Sequence, residues 1–125
     1  MRILTAILIS TAMIVPSVAQ PRRSLNNDQI RRVFAGNTIS GTEGGKAYVE
    51  FFHPNGRISG AGRDGRYSGN WQVSHGRVCV SYEKGNGGRT PWDCSNISVN
   101  GSRIVWIAEG EKFFSALARG NPRGL

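Results

Sequence analysis

From Lys46 to Ala118 the chain is cut about every ten residues by a glycine-bearing turn. These turns are Pro54-Asn55-Gly56, Asp64-Gly65, His75-Gly76, Asn100-Gly101 and Glu109-Gly110-Glu111. Asn-Gly and its relatives accept the positive φ that tight hairpins require. Between the turns, residues alternate in character. Tyr67, Gly69, Trp71 and Val73 share one parity, with Ser68, Asn70 and Gln72 on the other, and Val78, Val80 and Tyr82 repeat the pattern. Period-two segments joined by short turns specify an antiparallel meander. No stretch alternates strand with helix as a parallel sheet demands. The segments run over Lys46–His53, Arg57–Arg63, Tyr67–Val73, Arg77–Glu83, Asp93–Val99, Ser102–Ala108 and Lys112–Ala118. The pattern predicts a mainly β chain, with one short helix followed by six or seven antiparallel strands in a small barrel or sandwich. Its predicted inward residues are Val49, Phe51, Trp71, Val73, Val78, Val80, Ile97, Val99, Ile104, Trp106 and Leu117.

The helix precedes the strands. Asn26 or Asn27 can cap a helix from about Asp28 to Ala35, with Asp28 in the first turn, where a negative charge suits the helix dipole. Ile30, Val33 and Phe34 are spaced i, i+3, i+4 and form one apolar face, while Arg31 and Arg32 fall on the other side. Gly36 is placed to end the helix in a left-handed conformation.

Met1–Ala19 has the layout of a secretory signal peptide. Arg2 supplies the positive start and Ile3–Val15 the uncharged apolar run. Pro16 breaks that run, and Ser17-Val18-Ala19 offers small residues for cleavage. The run is shorter than the ~20 residues of a spanning helix, and no later segment resembles one. The expected organisation is a leader at 1–19, a flexible basic arm at 20–27 and a single β domain at 28–125, with a periplasmic or secreted destination. In an oxidising compartment, two cysteines imply a bridge. Cys79 shares its parity with Ser81, opposite Val78 and Val80, and Cys94 shares its parity with Asn96 and Ser98. Both therefore leave the apolar face, and pairing of their strands across the Lys84–Trp92 loop brings them to one side of the ladder. Such a bridge stabilises by roughly 3 kcal/mol in the chain-entropy account.

Little of the equipment of catalysis is visible. His53 and His75 lie beside turns, outside any recognised metal-ligand spacing, so no metal site and no cofactor are expected. Lys84-Gly-Asn-Gly-Gly-Arg-Thr90 lacks the phosphate-loop signature and reads as a hairpin loop, and no GxSxG elbow occurs. These features point away from an enzyme. Charge is more informative. The 125 residues carry 16 Lys+Arg against 8 Asp+Glu, and the only lysines are Lys46, Lys84 and Lys112. Arginine makes bidentate contacts to phosphate and carboxylate. Arg22, Arg23, Arg31 and Arg32, with Trp92 as an aromatic anchor, are the candidate binding residues for an anionic envelope component or an acidic protein. The leader argues against nucleic acid as the partner. Two other readings are an inhibitor that inserts the Lys84–Trp92 loop into a hydrolase, and a small-ligand binder with a pocket lined by Tyr67 and Trp71.

Gly36-Asn-Thr-Ile-Ser-Gly41, Tyr48–Phe52 with Pro54-Asn-Gly56, Ser68-Gly-Asn-Trp71-Gln-Val73, Cys79-Val-Ser-Tyr82, Cys94 and Gly120-Asn-Pro122 follow one another in order. The series resembles small exported β-domains of alphaproteobacteria, over roughly Ile30 to Pro122. The resemblance implies export and a β fold, and implies no reaction. The Ser68–Trp71 segment is also similar, more loosely, to avidin-like and lipocalin-like meanders, in which the tryptophan packs near the barrel floor.

Overall fold

Antiparallel pairing carries eight consecutive strands round into a closed barrel. The computed structural model describes residues 13–17 and 24–125. Helix α1 (Asn27–Phe34) precedes β1 (Asn37–Glu43), β2 (Lys46–Phe52), β3 (Arg57–Gly62) and β4 (Gly65–Ser74). β5 (Arg77–Tyr82), β6 (Asp93–Asn100), β7 (Arg103–Ala108) and β8 (Glu111–Arg119) complete the meander. The eighth strand, beyond the six or seven expected, is β1. Its sequence, NTISGTE, carries one large apolar residue, Ile39, so period-two hydrophobicity does not mark it. What makes it a strand is its position between two partners: Ser40 faces Val49 of β2 on one side and Ala116 of β8 on the other. The closure is reinforced beyond the ladder. Thr38 Oγ1 donates to the Gly120 carbonyl at 2.7 Å, and the Gly120 N–H donates to Asn37 Oδ1 at 3.1 Å.

Local chemistry sets the remaining elements. Asn26 caps α1 through a reciprocal pair, accepting from the Gln29 N–H and receiving Gln29 Oε1 on its own N–H, each at 2.9 Å. Gly36, at φ 77°, releases the chain from the helix into β1. His75-Gly76 and Glu109-Gly110 have positive φ at both central positions, the turn geometry whose twist matches the flanking strands. The β3–β4 reversal falls on Arg63 and Asp64, one residue earlier than expected, with Gly65 opening β4.

Connections in a meander alternate between the two ends of the barrel. The β2–β3, β4–β5 and β6–β7 turns share one end with α1, and the Asn27 side chain accepts from the Gly76 N–H there at 2.7 Å. Ile30 and Phe34 of the helix are fully buried. Phe34 lies 4.9 Å from the Phe52 ring, 5.3 Å from Trp106 and 6.3 Å from Trp71. Ile39, Ile58, Val78, Ile97 and Ile104 complete this core. The helix is thus the stopper of one end, and Trp71 packs beneath it.

One strand is turned over relative to expectation. In β2 the inward set is Tyr48, Glu50 and Phe52, with Phe52 and Glu50 buried, whereas Val49 and Phe51 point away from the interior. Ala47, Val49 and Phe51 are all apolar, whereas the parity that is in fact buried carries Lys46 and Glu50 beside Tyr48 and Phe52, so alternation alone selects the wrong face.

A cavity at the barrel mouth

The end opposite α1 gathers the β1–β2, β3–β4 and β7–β8 turns and the β5–β6 loop, and here the barrel is not filled. A cavity of about 680 Å³ opens between them, with Val80, Trp106 and Phe113 among its apolar walls. An eight-stranded barrel is just wide enough for side chains to fill it or for one small molecule to enter. Which outcome holds is decided by the inward residues, and in this half several are glycine, serine or alanine.

Three of those glycines stand directly across the ladder from a tyrosine: Gly41 from Tyr48, Gly60 from Tyr67, and Gly69 from Tyr82. Each ring lies against the bare backbone of its partner. A Cβ on Gly41 would come within 2.8 Å of the Tyr48 hydroxyl, and one on Gly69 within 2.9 Å of the Tyr82 ring. A Cβ on Gly60 would overlap the Tyr67 ring outright. The glycines therefore let the phenols lie along the wall, an arrangement known to stabilise glycine in strands.

Two of the phenols converge on Glu50. Tyr67 and Tyr82 each donate to Glu50 Oε1 at 2.8 Å, and their rings meet edge to face at 5.7 Å. Burial raises the Glu50 pKa above the usual carboxylate range. The two phenol hydrogen bonds act against that rise, and the nearby charge of Glu43 adds to it. Burial and the Glu50 charge push Tyr48 up to about 12 and raise Tyr67 and Tyr82 as well, so all three remain neutral donors. Among the described residues no lysine, arginine or histidine forms an ion pair with Glu50. Trp106 marks the boundary between the two halves. It lines the cavity, packs on Phe34, and donates from Nε1 to Ser115 Oγ at 2.7 Å.

The sequence candidates are distributed differently. Arg22 and Arg23 lie outside the described residues. Arg31 and Arg32 are exposed on α1 at the closed end, where Arg31 pairs with Asp28 at 3.1 Å. Trp92 is exposed at the other end, in the β5–β6 loop, with the Arg89 guanidinium 5.6 Å from its ring centroid. Among the described candidates, Arg31 and Arg32 therefore stand at the opposite end of the barrel from Trp92. Of the two pocket residues anticipated, Tyr67 lines the cavity, while Trp71 belongs to the core. Cys79 and Cys94 are directly paired across β5 and β6 and form the disulfide. Cys79 lies outside the interior core cluster yet is buried. Beside it, Ser81 Oγ donates to the Thr90 carbonyl of the folded-back loop at 2.6 Å. His53 Nε2 is 2.7 Å from Ser59 Oγ, and neither histidine lines the cavity. Among the described residues no group of three or more His, Cys, Asp or Glu side chains is arranged to hold a metal ion.

No family model matches the chain. No curated protein and no solved structure matches it either. Sequence reasoning passed over Glu50, Tyr48 and Tyr82. A usable signal was present nonetheless, because each glycine and its tyrosine are mirror positions about a turn.

Proposed function

We propose that this chain is an exported, non-enzymatic binding domain that holds a small organic ligand in the barrel mouth. The observation that carries the reading is the contrast inside one barrel. Large apolar side chains fill the α1 end, whereas glycines and flattened tyrosines leave a cavity of about 680 Å³ at the other. A mostly apolar concavity with a few convergent polar groups is the usual form of a small-molecule site. The Cys79–Cys94 bridge suits an oxidising compartment, and among the described residues no helix is long and apolar enough to cross a membrane. The bridge supports export to the periplasm or the exterior.

Native mass spectrometry of the purified protein against a mixed library of small organic molecules tests the reading. Complexes are expected with the wild type and should disappear in Ala108→Phe, which places a ring in the cavity. Complexes that persist in that variant, or none with the wild type, would overturn it. The anionic-partner reading keeps one structural support, the exposed Arg31 and Arg32 on α1. That contact would lie at the opposite end from the cavity and would weaken with salt.

A further inference from the structure

We infer that the ligand of the mouth is an organic cation, an ammonium or amidinium group on an apolar body, with Glu50 as its counter-charge. This rests on the small-ligand reading above and names the chemistry that site selects.

Glu50 is 6% exposed, yet nothing among the described residues neutralises it. Its Oε1 is occupied by two phenol hydrogens. Its Oε2 accepts no hydrogen bond from the described residues, although the side chain lines the cavity. A buried carboxylate is costly unless paired, and here the unpaired oxygen belongs to a group that opens onto the cavity. The charges around the opening do not make up the deficit. Glu43 and Asp93 line the cavity with the same sign as Glu50, while Lys46 is held by Asp64 at 3.6 Å on an exposed pair. Arg63 and Arg66 line the opening but are themselves exposed.

The walls favour a cation for a second, independent reason. Tyr48, Tyr67, Tyr82, Trp106 and Phe113 surround the space. Aromatic faces attract desolvated ammonium and guanidinium-like groups through the ring quadrupole. An N–H of such a group completes Glu50 Oε2 with a charge-assisted hydrogen bond, and the apolar body occupies the remaining volume. A neutral molecule of the same shape leaves Oε2 unpaired, and an anion meets Glu50 and Glu43 directly.

Isothermal titration of the purified protein with four probes of similar size provides the test: 2-phenylethylammonium, benzamidinium, 2-phenylethanol and phenylacetate. The two cations are expected to bind at least about tenfold more tightly than 2-phenylethanol, with phenylacetate weakest. Glu50→Gln keeps the acceptor for the two phenols. It should cost the cations about tenfold or more while leaving 2-phenylethanol within about twofold. If Glu50→Gln does not fold, the wild-type ranking of cation, alcohol and anion decides alone. Equal binding of the alcohol or the carboxylate, or cation binding indifferent to Glu50→Gln, would overturn this inference and leave the mouth a binding site. Binding by none of the four would overturn both.

Discussion

The two ends of this barrel are built on the same eight strands, and they differ in what points inward and in the helix that covers only one of them. At the α1 end, Phe34, Phe52, Trp71 and five aliphatic side chains of the strands interlock with Ile30. At the mouth, the inward positions pair glycine with tyrosine and place a carboxylate where a core would place a leucine. One antiparallel meander therefore accommodates both a filled interior and a receptive one. One half concentrates stability, and the other gives some of it up by keeping a buried charge.

The sharpest break of this comparison is at Phe34. Phe34→Ala removes a fully buried ring that touches three others, and is expected to cost about 3–5 kcal/mol. Urea denaturation measures that loss, and the protein that remains folded should bind mouth ligands unchanged. A loss below about 1 kcal/mol would mean that α1 is dispensable as a stopper.

Next in size is the disulfide, which closes a separation of 15 residues around the β5–β6 loop. Cys79→Ala with Cys94→Ala should lower stability by about 3 kcal/mol in the same measurement. Because the bridge flanks the mouth, proteolysis of the double variant is expected first within Lys84–Trp92. First cleavage at the closed end would contradict the division of roles.

The smallest and most informative change is at Glu50. Burial lifts its folded-state pKa above the ordinary 4.5, so the folded protein holds this proton more tightly than the unfolded chain does. The resulting stabilisation is complete below 4.5 and is lost as pH rises through the raised value. Glu50→Gln has no such loss. Thermal melting from about pH 4 to about pH 8 should show its advantage over the wild type appearing and growing with pH. Parallel curves would show that the unpaired carboxylate has no cost.

The closed half was readable in the sequence because its determinants are local or repetitive. The i, i+4 pair Ile30 and Phe34, the Asn26 cap and the Gly36 stop define α1 within a dozen positions. Turn dipeptides and alternation give most of the hairpins, and the parity of Cys79 and Cys94 anticipates their bridge. The mouth was not readable in this way. Glu50 is acceptable inside only because Tyr67 and Tyr82, 17 and 32 positions away, supply their hydroxyls. Val49 and Phe51 look like the better inward set until those partners are known. β1 escaped for a similar reason, since its strand character comes from β2 and β8 flanking it rather than from its own NTISGTE. The arginines stood out by their number, yet the described candidates Arg31 and Arg32 stand on α1, at the end opposite the cavity.

The placement of the indole rings has an optical consequence. Trp71 is sealed under the helix, Trp92 stands in solvent, and Trp106 has Phe34 on one side and the cavity on the other. Their emission should separate into a blue component indifferent to occupancy, a red component that iodide quenches, and an intermediate band whose colour follows what fills the mouth. The molecule thus contains its own dye, internal standard and background, and its occupancy can be followed by light alone, without any label.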